Sequence, residues 1–90
     1  MALNLSDLSL LDAIARHGSF AAAARELGRV PSALTYTIRK FEDNLDVLLF
    51  DRRGQRAVLT PAGESLLADG RRLLAEADSI VRRTRQIGSG

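Results

Sequence analysis

The sequence contains no cysteine and only one histidine. It can therefore form neither a disulfide nor a thiolate metal site, and a zinc finger is excluded. No apolar run approaches the length that crosses a bilayer, and the N-terminus lacks the basic and apolar stretches of a secretory signal. We expect a cytoplasmic protein that is stabilised by packing alone and has no cofactor, no metal and no contact with a membrane.

The residue patterns of enzymes are also missing. The sequence has no glycine-rich phosphate loop and no acids, histidines or cysteines at metal-ligand spacing. Acids such as Asp51 and Glu64 stand in contexts typical of a protein surface. We therefore expect no enzymatic activity.

The length and the charge of the chain further restrict the classes of protein that it can belong to. Ninety residues, 46% of them hydrophobic, suffice for one compact domain and are too few for an additional ligand-binding domain. The thirteen basic residues exceed the eleven acids only by two (13 − 11), but twelve of the thirteen are arginines. Their placement permits either a phosphate-facing surface or charge scattered over all faces. The basic residues of the middle third are Arg25, Arg29, Arg39, Lys40, Arg52, Arg53 and Arg56.

Apolar spacing predicts two helices before residue 30. The first is expected from Ser6, as its N-cap, to about Arg16, with Gly18 as its stop. The second is short and rich in alanine, follows Ser19 as its cap and ends at Gly28, whose permissive backbone suits a tight turn. The alanines let a neighbouring helix approach closely.

A third helix is predicted to begin near Pro31 and to have two different faces. One face is apolar and carries Leu34, Ile38, Phe41 and Leu45. The other is polar and carries Ser32, Thr35, Tyr36, Arg39 and Lys40. Residues 47–60 then form two β-prone runs around a polar turn with Gly54, which predicts a two-stranded hairpin with its tip at residues 52–56.

The last predicted element is a long helix that starts at Thr60, as N-cap, and Pro61. Leucine or isoleucine recurs at every seventh position, and small residues lie between. About 27 residues of helix, roughly 40 Å, cannot be buried against so small a domain, so the repeat predicts a partner helix. The expected dimerisation residues are Leu66, Gly70, Leu73, Ala77, Ile80, Thr84 and Ile87, with Gly63 as a further small position. The chain is then divided into a domain at 1–60, the helix at 61–87 and a flexible tail at 88–90.

Together these elements predict a mainly α fold, a winged helix-turn-helix of three helices and a hairpin followed by a long dimerisation helix. The major groove of DNA admits one helix, and residues near its N-terminus reach base edges. Predicted base-reading residues are Ser32, Thr35 and Tyr36. Residues predicted to contact the DNA backbone are Pro31, Arg39, Lys40, Arg52, Arg53 and Arg56. The alternative is a protein-interaction module that uses the same scaffold without DNA.

Four stretches of the sequence carry a family resemblance. They are GSFAAAAREL at 18–27, SALTYTIRKFE at 32–42, LFDR at 49–52 and LTPAG at 59–63. In this order and spacing they resemble the N-terminal domain of LysR-type transcriptional regulators over nearly the whole chain. The resemblance implies specific binding of double-stranded promoter DNA by a homodimer, or by a tetramer made of two such dimers, with the long helices paired antiparallel. It also implies an effector domain, absent from these 90 residues, so we expect a fragment of a longer regulator.

The sequence departs from the family pattern in three places. Val30-Pro31-Ser32 stands where most members have Ser-Gln-Pro, and Thr35-Tyr36 replaces a Ser-Arg pair. The usual glutamine and arginine base-readers are thus replaced by Pro31 and Tyr36, which implies a different preferred DNA sequence. Asp46 stands where a glycine commonly ends the helix, and aspartate is less suited than glycine to a left-handed turn.

Overall fold

The computed structural model describes residues 2–51, 53–54 and 56–90. In chain order the elements are α1 (Leu5–His17), α2 (Phe20–Leu27), α3 (Pro31–Leu45), β1 (Phe50–Asp51), β2 (Val58–Leu59) and α4 (Pro61–Ser89). Every element expected from the sequence is present, in the expected order, so the predicted winged helix-turn-helix fold with a long following helix is confirmed. Among the described residues, no helix is both long and apolar enough to cross a membrane.

The helix ends follow the predicted capping residues with one exception. Ser19 accepts a hydrogen bond from the Ala22 amide at 3.1 Å, and Gly18 and Gly28 end their helices with φ of 67° and 65°. The cap of α1, however, is Asn4 and not Ser6, because the Asn4 side-chain oxygen accepts from the Asp7 amide at 2.8 Å. Ser6 lies inside the helix.

The third helix ends on a residue that strains the backbone. Asp46 has φ of 58°, and among the described residues it is the only one other than glycine with a positive φ. Its amide donates to the carbonyl of Asp43 at 3.3 Å, and the amide of Val47 donates to that of Glu42 at 3.2 Å. The left-handed turn expected at this position therefore forms without glycine.

The core lies where the three short helices meet. The apolar stripe of α3 is buried at Leu34, Ile38 and Phe41, and Leu45 is partly buried at its edge. Phe20 and Phe50 pack edge to face with ring centroids 5.3 Å apart, which joins α2 to the first strand. Most of the remaining core consists of Leu8, Leu10, Leu11, Ala13, Ile14, Ala23, Ala24, Leu49 and Leu67.

The hairpin is short and is held against the helices. Phe50 pairs with Leu59 and Asp51 with Val58 in antiparallel register. The Ala57 amide also donates to the Gly18 carbonyl at 3.0 Å, which attaches the second strand to the turn between α1 and α2. A hairpin of this length needs such support.

Helix α4 packs along α1 through its first third. Gly63, Leu67 and Gly70 are buried there, while all residues from 80 onward are exposed. The helix continues to Ser89, two residues beyond the predicted end, so residues 88 and 89 are helical and not the expected flexible tail. The division of the chain into domains at residue 60 stays a prediction.

Candidate nucleic-acid interface

The exposed face of α3 brings the predicted base-reading and basic side chains together. These residues are Ser32, Thr35, Tyr36, Arg39 and Lys40, and with Asp43 they line one shallow concave surface. The same helix buries its other face in the core, so its orientation is fixed by packing. Tyr36 is 66% exposed, which is high for a large ring and leaves it free to contact a ligand.

Local contacts orient two of these side chains. The Thr35 hydroxyl donates to the Pro31 carbonyl at 3.2 Å, so its oxygen presents mainly acceptor capacity outward. The Lys40 ammonium lies 5.8 Å from the centre of the Tyr36 ring, a cation–π distance. The lysine that we predicted to contact phosphate thus also stacks on the predicted base-reading ring.

The basic hairpin is held by its own contacts. The Arg53 guanidinium donates to both carboxylate oxygens of Asp51, its Nη2 at 2.8 Å, and the Arg53 amide donates to Asp51 at 3.0 Å. These hydrogen bonds, from the Arg53 side chain first and its backbone second, lower the pKa of Asp51 to about 2. Arg53 nevertheless remains 90% exposed. The sequence also predicts contacts with the DNA backbone from Arg52 and Arg56. Arg52 lies outside the described residues.

Arg56 turns back toward the helices. A Cβ atom added at Gly18 would lie 3.6 Å from the Arg56 guanidinium. Arg56 therefore lies beside the turn between α1 and α2. Pro31 and Ser32, at the start of α3, are both exposed.

A buried carboxylate that the sequence reading passed over joins α3 to the hairpin. Glu42 is only 4% exposed, and its Oε2 accepts from the Leu49 amide at 2.7 Å and the Phe50 amide at 3.3 Å. Because Glu42 follows Leu34 and Ile38 at intervals of four, the helical spacing could have indicated that this acid faces inward. Glu42 thereby fixes the start of β1 relative to α3.

The predicted dimerisation residues of α4 divide into two groups. Gly70 is buried against the same chain, since an added Cβ would lie 2.8 Å from Leu8. Contrary to the expectation from the repeat, Gly70 therefore accommodates α1 of the same chain and is not part of the exposed face that a partner helix could contact. Leu66 and Ala77 are half-buried. Leu73, Ile80 and Ile87 are 42%, 50% and 82% exposed, and Thr84 is exposed as well.

Comparison with known proteins identifies the family. The family model described as "Bacterial regulatory helix-turn-helix protein, lysR family" matches residues 5–64, which is two thirds of the chain. The chain belongs to the LysR family. This confirms the resemblance seen in its four motifs.

Two curated relatives show how the chain compares with complete family members. The probable HTH-type transcriptional regulator YhaJ of Escherichia coli K12 is 59% identical over 80 residues, which are 89% of this chain and 27% of YhaJ. The transcriptional regulator PunR of the same organism is 46% identical over 83 residues, 92% of this chain and 27% of PunR. The chain thus spans about a quarter of the length of these LysR-family relatives. Both are named as transcriptional regulators and neither as an enzyme.

Solved structures match the fold closely. The BenM DNA-binding domain in complex with benA site 1 DNA has a TM-score of 0.93 and 28% identity, covering 98% of this chain and 99% of that one. The CbnR DNA-binding domain in complex with DNA has a TM-score of 0.89 and 31% identity, covering 96% and 99%. Both are LysR-type DNA-binding domains, and both were solved on DNA.

Proposed function

We propose that this chain binds double-stranded DNA as a homodimer and is the DNA-binding part of a LysR-type transcription regulator. The observation that carries this proposal is the division of α3 into a fully buried face and an exposed face of hydroxyl, phenol and cationic groups. An exposed helix of this kind fits the major groove of B-form DNA, which admits one helix. Promoter DNA as the partner implies a cytoplasmic location in a bacterium.

The N-terminal half of α3 supplies the proposed base-reading groups. Ser32 and Tyr36 are exposed near the start of the helix, where residues of a recognition helix reach base edges. The Tyr36 hydroxyl can donate to or accept from a base, and its ring can pack on a thymine methyl group. The cation–π contact from Lys40 restricts the ring, so less conformational entropy is lost on binding.

The cationic groups supply the proposed phosphate contacts. Arg39 and Lys40 lie about one turn beyond the base-reading residues, Arg53 extends from the hairpin, and the Arg56 guanidinium lies beside Gly18. Arg53 carries a bidentate carboxylate from Asp51, which offsets part of its positive charge. We therefore expect Arg56 to contribute more to the salt dependence of binding than Arg53.

The free half of α4 supplies the proposed dimer contact. Leu73, Ile80 and Ile87 are exposed on α4 at intervals of seven residues, the first beside the domain and the other two beyond its contacts. Exposed leucines and isoleucines in a continuous stripe are typical of a helix that pairs with another. A dimer of this kind presents two copies of α3, as the two half-sites of an operator require.

DNA binding is tested by selecting duplexes from a random pool and titrating the recovered sequence in a gel shift. Tyr36→Ala should reduce the preference for the selected duplex over random DNA by about 1–3 kcal/mol, roughly 5- to 150-fold. Tyr36→Phe is the matched control that keeps the ring. Equal losses on selected and random duplexes would contradict base reading, and no retardation by the unaltered chain at low salt would favour the protein-interaction module instead.

Phosphate contact and dimerisation have separate tests. Arg56→Ala should lower the slope of log affinity against log salt by about one and weaken binding to all duplexes alike.

Ile80→Asp should shift the chain to monomer in sedimentation velocity, because it places a charge in the proposed seam. Ala75→Asp, which adds the same charge on the opposite side of α4, should leave the dimer intact. Dimers that survive Ile80→Asp would contradict the proposed seam.

A further inference from the structure

A chain of ion pairs joins α4 to the helix-turn-helix. Arg71 on α4 donates through Nε to the Asp12 carboxylate on α1 at 2.8 Å, and Arg16 donates to the second oxygen of the same carboxylate at 3.0 Å. Arg16 also donates through Nη2 to Glu26 on α2 at 3.2 Å, and His17 lies 3.4 Å from Glu26. The Asp12 carboxylate thus links α1 to α4, and Arg16 extends the chain of ion pairs to Glu26 on α2.

The first turn of α4 is fixed separately. The Thr60 amide donates to the Leu49 carbonyl at 3.0 Å, and the Thr60 hydroxyl donates to the Leu48 carbonyl at 2.7 Å. Arg71 lies about 11 residues (71 − 60) further along the helix, or roughly 16 Å at 1.5 Å per residue. The Arg71–Asp12 hydrogen bond is thus a second directional contact on α4, well separated from the one at Thr60.

The contacts between these two points are apolar. Leu67 and Gly70 pack on α1, with Gly70 close against Leu8. Such packing sets the approximate crossing angle of the two helices, and the directional Arg71–Asp12 hydrogen bond adds a further restraint on sliding and rotation. The angle between α4 and the domain therefore depends in part on the Arg71–Asp12 pair.

Asp12 is held more firmly than an isolated surface acid. Its side chain is only 23% exposed and lies between two guanidinium groups. Partial burial alone would raise the pKa of Asp12, but the hydrogen bonds from Arg71 and Arg16, together with their charges, lower it overall. The carboxylate is therefore ionised and paired at neutral pH.

A small change of this angle matters for a dimer on DNA. The molecule measures 52 × 27 × 19 Å, so the side of the domain farthest from α4 lies on the order of 20 Å from that helix. A rotation of about 10° moves a group at that distance by about 3.5 Å, which is close to the 3.4 Å rise of one base pair. Two domains that are rigid on paired α4 helices would discriminate spacings that differ by one base pair.

We propose that the Arg71–Asp12 ion pair determines the spacing between the two DNA half-sites that the dimer accepts. Arg71 and Asp12 are positioning residues, because they act through the angle of α4 and touch no base. This inference rests on the proposed function, dimeric DNA binding. It adds a specificity determinant that lies far from the reading surface.

The test uses duplexes that carry two copies of the selected half-site with the spacer varied one base pair at a time. Arg71→Gln removes the ion pair, and Arg72→Gln is the matched control. Arg72 is the next residue of α4 and bonds to Asp69 of the same helix, so its removal changes the net charge equally without touching α1.

Arg71→Gln should reduce the preference for the best spacing over its neighbours by up to about fivefold, the upper end of what a partly exposed ion pair contributes. Affinity for a single half-site should stay unchanged. Asp12→Asn should have the same effect, and the double variant should lose no more than either single one. Arg72→Gln should match the unaltered chain.

A spectroscopic measurement checks the angle directly. Because the chain has no cysteine, Asn44→Cys on the exposed side of α3 provides one spin-label site per subunit. Arg71→Gln should broaden the distance distribution between the two labels of a dimer, and Arg72→Gln should not. An unchanged spacing profile and an unchanged distribution in Arg71→Gln would overturn the inference while DNA binding stands. An unaltered chain that binds no duplex would overturn the proposed function as well.

Discussion

Gly63, in the first turn of α4, lies close against the backbone of the domain. A Cβ atom added there would lie 2.2 Å from the Leu49 carbonyl oxygen and 3.0 Å from Cδ2 of Leu59. The leucine side chain can move, but the Leu49 carbonyl is backbone and already accepts from the Thr60 amide at 3.0 Å. Gly63→Ala must therefore displace the first turn of α4.

The size of the effect follows from three contributions. An ordinary contact of Cβ with oxygen needs about 3.4 Å, so the helix start must shift by about 1 Å, and overpacking of this kind costs about 1–3 kcal/mol. Weakening the Thr60–Leu49 hydrogen bond adds about 1 kcal/mol. The higher helix propensity of alanine offsets up to about 1 kcal/mol of this destabilisation. We expect the free energy of unfolding to fall by about 1–3 kcal/mol.

Urea denaturation followed by circular dichroism measures this loss, and two other glycines of α4 calibrate it. Gly88→Ala meets nothing within 4 Å and should leave stability unchanged or slightly raised. Gly70→Ala should fall between the two, because its Cβ would meet only the movable end of the Leu8 side chain at 2.8 Å. A Gly63→Ala chain as stable as the Gly88→Ala chain would refute the reasoning.

Three further predictions concern single side chains. Asp46→Gly should raise stability by about 0.5–1 kcal/mol in urea denaturation, because glycine relieves the left-handed strain; a loss would mean that the aspartate side chain supports the turn. Glu42→Ala should cost about 2–4 kcal/mol, since two backbone N–H groups lose their acceptor, whereas Glu42→Gln keeps an acceptor oxygen and should cost much less. Acid titration should show the contribution of Asp51. The Arg53 hydrogen bonds place its folded pKa at about 2, below the unfolded value of 3.8, so this stabilisation is present above about pH 4 and is lost between pH 4 and 2. Asp51→Asn should remove that part of the acid dependence, and an unchanged acid profile would contradict the pairing.

The helices were predictable from the sequence because their signals are local. Pro31 and Gly28 act within one turn of the chain, and apolar stripes of period 3.6 specify which face is buried. The start of α1 was placed two residues late because Asn4 and Ser6 are both good N-caps, and only the observed hydrogen bond distinguishes them.

The candidate site was predictable in its residue content but not in its contacts. The polar face of α3 follows directly from helical geometry. The pairing of Arg53 with Asp51 and the position of Lys40 over Tyr36 depend on side-chain conformations that no spacing rule specifies. The Arg71–Asp12 pair joins residues 59 positions apart, so it becomes visible only when α4 is seen against α1.

The seven-residue repeat of α4 combines two different contacts. Residues at 3.6 per turn place Gly63, Leu67, Gly70 and Leu74 on one side, which faces the domain of the same chain: Gly63 meets Leu49 and Leu59, and Gly70 meets Leu8 of α1. The stripe that contains Leu73 and Ile80 lies about a quarter-turn away, because each residue advances the helix by about 100°. The small residues of the first half therefore serve the intramolecular contact, while the large residues of the second half remain exposed. Only the exposed stripe is available to a second chain.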